Sequence, residues 1–319
     1  MNDFPTPGAQ GAAAPGPDRA GGAGPRPGPP GDPARSTLPA ILLVVAAVAL
    51  FSLSDVLAKL LRESLPAVEI AWLRYLTFAA LAAALAARGR FAGLWPRQPG
   101  LQVLRGAAIL ASSILFITGL GYLPVAEATA INFVSPAFIT ALSIPFLGET
   151  VGLHRWGAVL VGLIGVVIVI RPGSGVAQAA AVFPLLTALT WAVGIVATRR
   201  MGTSDRAETT LLWTALVGLA ALTAWVPFGF VPPGLRHVGI GLVLGVCASV
   251  GQYLVILAYR RAAASVLAPF SYVQLLSSTL VAYLAFGTIP DRATLLGGAV
   301  IAASGLYTAQ RERRRARPR

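Results

Sequence analysis

The chain has 319 residues, 56% of them hydrophobic and 12% charged, and a formal net charge of +13. Soluble domains average about 25% charged residues, so this composition, with a mean hydropathy of +0.73, excludes an ordinary soluble fold. The lone cysteine, Cys247, excludes a disulfide framework and a cysteine-rich metal site. Counted in crossings of roughly 20 residues joined by short loops, the length accommodates about ten membrane helices.

Residues 1–36 contain nine prolines and eight glycines among alanines and scattered charges. Such a segment cannot bury enough apolar surface to offset its ordering entropy, and it reads as a disordered cytoplasmic tail. It does not read as a signal peptide: the first apolar run is long, lies behind the tail, and lacks a small-residue cleavage site. Ten candidate spans follow, at 38–61, 66–87, 101–122, 124–147, 153–171, 178–198, 207–229, 237–259, 262–286 and 291–309. The fifth and tenth are dense in glycine and alanine, which lets helix backbones approach closely.

The basic residues orient these spans. With the N-terminus in the cytoplasm, nineteen of the 25 Lys and Arg residues fall on the cytoplasmic side, six of them in the tail between Arg311 and Arg319. The opposite side receives Arg62, Arg171, Arg236 and Arg292, while Lys59 and Arg74 lie inside spans. This asymmetry predicts a multi-pass membrane protein with both termini cytoplasmic. The arginines at helix ends meet anionic lipid headgroups rather than nucleic acid.

An internal repeat divides the chain. GETVGLHRWGAVLVGLIGVVIV (148–169) and GTIPDRATLLGGAVIAASGLY (287–307) align Gly148 with Gly287, Gly157 with Gly297 and Gly165 with Gly305. Each copy ends one apolar segment, turns, and enters a Gly-rich helix. LAKLL (57–61) matches VATRR (196–200), and Tyr122 in GYLPVAEA matches Tyr259 in AYRRAAAS. The expected organisation is a tail (1–36), a first repeat (37–172), a second (173–309) and a basic tail (310–319). Five helices per copy is odd, so the two copies insert in opposite senses. The predicted fold class is all-α integral membrane, ten transmembrane helices as two inverted five-helix repeats. Such repeats rock around a midplane site in secondary transporters.

Charges inside spans cost about 2.5–3.5 kcal/mol each on insertion scales and need a partner or a water-filled cavity. Asp55 and Lys59 are four residues apart on one helix face and able to pair. Glu69 and Arg74 lie on the second span, and Glu127 opens the fourth. By the inferred topology all five share the outer half of the membrane. They read as an external gate, as an anionic-substrate contact at Arg74, as a protonatable carboxylate coupled to transport, or as a static ion-pair cluster. A second polar set lies nearer the midplane: Ser112, Ser113, Asn132 and Ser135, then Gln252, Tyr253, Ser271, Tyr272 and Gln274, with Trp191 and Trp213 as nearby aromatics. Such groups line small-solute cavities or hydrogen-bond one helix to the next. Asn132, Trp191, Tyr253, Tyr272 and Gln274 join Asp55, Lys59 and Arg74 as candidate substrate-binding or gating residues.

These features resemble the drug/metabolite transporter superfamily, EamA type. The resemblance covers 38–309 and rests on the doubled five-helix pattern, Lys59 near the end of the first helix, Arg74 in the second, and AEATAINFVSPAFITALSIPFLGE (126–149). The second copy departs from it at Thr288, where the first has Glu149. The resemblance implies a cytoplasmic-membrane carrier with a central cavity, for cargo among amino acids, nucleosides, vitamins, nucleotide-derived cofactors and drugs. SLSDVLAKLL followed by EIAWLRYL is similar to the branch associated with riboflavin and S-adenosylmethionine uptake.

No cofactor, metal or catalytic residue is expected. His154 and His237 lie in loops on opposite sides, and no G-x-S-x-G, Walker A or H-E-x-x-H motif occurs. The favoured expectation is a secondary transporter of a small polar or amphipathic metabolite. The alternatives are a non-transporting scaffold or sensor and an integral-membrane lipid enzyme, which would need an interfacial cluster of His and carboxylates. Small-residue helix faces serve internal packing and dimers alike, so both oligomeric states stay open.

Overall fold

The computed structural model describes residues 33–88, 94–148, 151–171, 179–201, 205–261, 267 and 270–315. The predicted disordered tail up to residue 32, Glu149 and residues 316–319 lie outside the described residues. Among the described residues the regular elements are all helical. They are α1 (Pro33–Leu61), α2 (Ala67–Arg88), α3 (Pro99–Leu120), α4 (Val125–Asn132), α5 (Ser135–Leu147), α6 (Leu153–Ile170), α7 (Val182–Met201), α8 (Ala207–Trp225), α9 (Leu235–Arg261), α10 (Val273–Phe286) and α11 (Arg292–Arg315). A 3₁₀ turn, Val226–Phe228, follows α8. The last helix continues through most of the stretch read as a basic tail.

Among the described residues seven helical stretches are long and apolar enough to cross a membrane: Leu38–Leu61, Ala67–Arg88, Pro99–Leu120, Val125–Leu147, Val182–Met201, Glu208–Phe228 and Leu235–Val255. Trp156–Ile170 and Val273–Phe286 are shorter apolar helices. The 14 residues of α10 rise about 21 Å, less than a hydrocarbon core of about 30 Å. α11 ends in a charged run, QRERRR. Ten crossings were expected from sequence; by length and composition seven stand out.

Proline and glycine set the breaks. Pro136 has no N–H for the Asn132 carbonyl, so α4 stops at Asn132 and α5 restarts at Ser135. Gly148 and Gly287 end α5 and α10 in left-handed conformation, φ 67° and 66°, and are the glycines with positive φ among the described residues. Each donates its N–H back to the carbonyl four residues earlier, Ile144 at 3.1 Å and Tyr283 at 2.8 Å. A side chain would be strained at both positions.

The main packing partners are α1 with α9 and α10, α3 with α7 and α8, α2 with α8 and α9, α5 with α7, α6 with α11, and α4 with α10. Where α6 crosses α11 the backbones touch: a Cβ on Gly297 would sit 2.5 Å from the Gly165 carbonyl oxygen. Large apolar side chains project outward from these outer helices, among them Leu160, Leu276, Leu284 and Leu296. Apolar surface this extensive suits lipid rather than water.

Bonds between loops sort the bundle into two ends. At one end Val231 donates its N–H to Glu69 Oε2 (3.1 Å), Arg171 pairs with Asp291, and His237 Nε2 meets Ser64 Oγ at 3.1 Å. At the other, Arg97 N–H and Gln102 Nε2 each donate to Asp205 at 2.8 Å. Trp213 donates to the Leu94 carbonyl there (2.8 Å) and meets Trp95 edge-on.

Candidate functional site

The N-terminal halves of α2 and α3 enter the bundle from opposite ends, and each brings an arginine inside. On α2, Ala67, Ile70 and Ala71 share the face of Arg74 at helical spacing and are 9%, 0% and 0% exposed. That face points into the bundle, and Arg74 is half-buried on it. Among the described residues no hydrogen bond or ion pair engages its guanidinium. Its backbone lies close to Gly245 of α9, and its carbonyl accepts from Thr77 Oγ1 at 2.8 Å.

Asp55 is the buried carboxylate facing this cation. It is 9% exposed on α1, with the Gln274 side chain within hydrogen-bonding reach and the Arg74 charge acting on it. α1 is tied to α10 beside it: Ser52 Oγ shares a 2.7 Å hydrogen bond with Ser277 Oγ, and Ser277 Oγ donates to the Gln274 carbonyl at 3.2 Å. Immediately before α10, the Tyr272 ring stacks on Phe133 from the break after α4, with centroids 5.0 Å apart and planes 30° apart. The Tyr272 hydroxyl packs where Gly305 of α11 leaves room. Asn132, next to Phe133, has its Oδ1 sealed from solvent without a hydrogen-bond partner, as has Thr129 Oγ1 one turn earlier. Orphaned buried acceptors of this kind are what a bound water or ligand satisfies.

The structure therefore links a set of these residues: Asp55 with Arg74 and Gln274, and Tyr272, two residues before Gln274, with Phe133 beside Asn132. Trp191 on α7 and Tyr253 on α9 are half-buried, and no described hydrogen bond or ring contact joins them to it. Trp213 is instead at the loop end with Leu94.

The expected shared network of five charges is not what forms. Lys59 does not pair with Asp55; its Nζ donates to the carbonyls of Leu120 at 2.9 Å and Leu123 at 2.8 Å. Its long stem reaches the C-terminal end of α3, where free carbonyls and the helix dipole favour a cation. Glu69 is committed to Val231, and Glu127 lies within the field of Arg171.

Arg105, counted by sequence among the cytoplasmic-side arginines with no further role, is 8% exposed. Its Nε donates to Thr198 Oγ1 at 2.8 Å and its NH1 to Thr214 Oγ1, bridging α3, α7 and α8. Asp205 and Gln102 were also passed over. The readable signal was position: Gln102 and Arg105 sit three apart on one face of an otherwise apolar helix. Among the described residues no group of three or more His, Cys, Asp or Glu side chains is arranged to hold a metal ion.

The sequence model of the EamA-like transporter family matches residues 38–171 and again 178–309. A riboflavin transporter of Rhizobium johnstonii is 30% identical over 293 residues, 90% of this chain and 95% of that protein. An S-adenosylmethionine uptake transporter of Rickettsia bellii is 25% identical over 82% of this chain and 90% of its own length. A pseudopaline exporter of Pseudomonas aeruginosa is 28% identical over 82% and 92%. One solved crystal structure superposes with a TM-score of 0.65 at 20% identity, covering 87% of this chain and 99% of that one, which shows a common fold. These are names of transporters, not of enzymes. With its apolar helices and a family match in each half, the chain is a multi-pass membrane protein that belongs to the EamA-like transporter family.

Proposed function

We propose that the protein is a secondary transporter that carries a small polar or amphipathic metabolite, of the amino acid, vitamin or nucleoside-like kind, across the cytoplasmic membrane by alternating access. The reading has ten crossings in two inverted five-helix repeats, α1–α6 and α7–α11, with α4 and α5 counted as one broken crossing. The observation that carries it is the exchange symmetry of the packing. Replacing each helix by its counterpart turns α1 against α9 into α7 against α3, α1 against α10 into α7 against α5, and α2 against α9 into α8 against α3, and every one of these pairs occurs. The pairs α2 with α8, α6 with α11 and α4 with α10 map onto themselves. Matching breaks near Phe133 and Tyr272 and matching caps at Gly148 and Gly287 support the same reading. Broken helices at a repeat interface are where secondary transporters hold their cargo.

Asp55, Arg74, Asn132, Tyr272 and Gln274 form the substrate-contacting set in this reading, Trp191 and Tyr253 complete its walls, and Lys59 holds the adjacent end of α3. Asp55 is the carboxylate placed to carry a proton with the cargo. The arginine asymmetry puts both termini in the cytoplasm, against anionic headgroups. The relatives carry riboflavin, S-adenosylmethionine and pseudopaline, in uptake or export, which supports a small metabolite without choosing among them.

The test is flux into proteoliposomes for a panel of riboflavin, S-adenosylmethionine, amino acids and nucleosides, with and without an imposed pH gradient. Saturable flux of at least one compound is expected; no flux of any from folded protein would sink the reading. Sidedness is measurable because Cys247 is the only cysteine: single cysteines added at 97 and 237 in a Cys247→Ser background should label from opposite faces.

A further inference from the structure

Three cations project from the described membrane helices into the bundle, and two are already spent. Lys59 is held by two backbone carbonyls and Arg105 by two threonine hydroxyls. Arg74 has no acceptor among the described residues, although it lies on an inward face. An isolated charge at such depth is costly unless something answers it.

We infer that Arg74 is the specificity residue for a substrate bearing a single carboxylate, which it receives with its guanidinium fork. This deepens the transporter reading above and rests on it. Three observations on the page point to that chemistry. First, the planar guanidinium presents paired N–H donors that match a carboxylate bidentately. Second, of these three inward-projecting cations Arg74 alone has no hydrogen-bond acceptor among the described residues, and Asp55 stands close enough for their charges to interact. A phosphate dianion would set two negative charges against one guanidinium beside a carboxylate, so a monoanion is the better electrostatic match. Third, the neighbouring groups suit an organic body behind the carboxylate. The Phe133–Tyr272 stack offers a flat apolar wall, and Asn132 Oδ1 offers a free acceptor. Neutral metabolites such as nucleosides would leave the guanidinium donors without a charged acceptor and bind more weakly.

The experiment uses matched pairs that differ in the carboxylate alone: nicotinate against nicotinamide, pantothenate against panthenol, and phenylalanine against phenylalaninamide. Melting of the purified full-length protein is followed with each compound, alongside Arg74→Gln and Arg74→Lys variants checked for monodispersity. The expected result is that at least one carboxylate raises the melting temperature while its neutral partner does not. Arg74→Gln should weaken that binding about 100-fold, and Arg74→Lys, which keeps the charge but loses the fork, should weaken it less. Equal shifts from a neutral partner, full retention in Arg74→Gln, or no shift from any carboxylate would overturn the inference. Flux separates the two claims. Transport of neutral compounds that survives Arg74→Gln removes the inference and leaves the carrier; carboxylate binding lost in Arg74→Gln but with no flux of anything removes the carrier and leaves the site.

Discussion

Arg74 and Arg105 sit alike in the sequence and differently in the molecule. Each is about 10 Å along its helix from the first residue, α2 and α3 entering from opposite ends. Around Arg105, three helices close in: Thr198 of α7 and Thr214 of α8 accept its hydrogen bonds, and each hydroxyl in turn donates to its own helix, to Gly194 and Thr210 carbonyls at 2.7 Å. Around Arg74, among the described residues, no acceptor reaches the guanidinium. The comparison teaches that a charge in an apolar helix is not by itself a sign of function. The discriminating fact is whether the protein has already used its donors.

The comparison can be broken by experiment. The largest effect should come at Arg74: Arg74→Gln is expected to cut flux about 100-fold while the melting curve of ligand-free protein stays in place. A large fall in melting temperature would make Arg74 a structural residue and erase the contrast. Arg105→Met should do the reverse, costing about 3 kcal/mol of stability through two lost charge-assisted bonds, with flux per folded molecule retained. Gly297→Ala, which forces a Cβ against the Gly165 carbonyl, should cost about 1–3 kcal/mol by overpacking, read as a lower melting temperature. Asp291→Asn should do least. Its pair with Arg171 is 47% and 44% exposed, and such surface pairs contribute about 0–1 kcal/mol, so an unchanged melting curve is expected.

Much of the scaffold was legible because its causes are local. Hydropathy marks the apolar helices, and Gly148 and Gly287 announce matching helix ends because few other residues adopt positive φ; the break after Asn132 divides what hydropathy reads as one span, 124–147. The site was legible only in part. Asp55 and Gln274 are more than two hundred residues apart, and nothing local says that α1 and α10 set them side by side. Helical spacing suggested that Lys59 would pair with Asp55, yet a four-carbon stem reaches further than one turn, and the end of α3 offered two carbonyls. The burial of Arg105 was not legible, because the hydroxyls that receive its donors come from helices about ninety and more residues further along the chain.

The crossing of α6 and α11 has a mechanical consequence. At Gly165 and Gly297 backbone rests on backbone with no side chain between, so no change of rotamer can widen or narrow that contact. Ser304 fastens the same pair through the Ala158 carbonyl. In the alternating-access cycle proposed above, this unyielding crossing is the contact we infer to act as the fulcrum, and Arg74 and Asp55 ride on helices other than the two it joins.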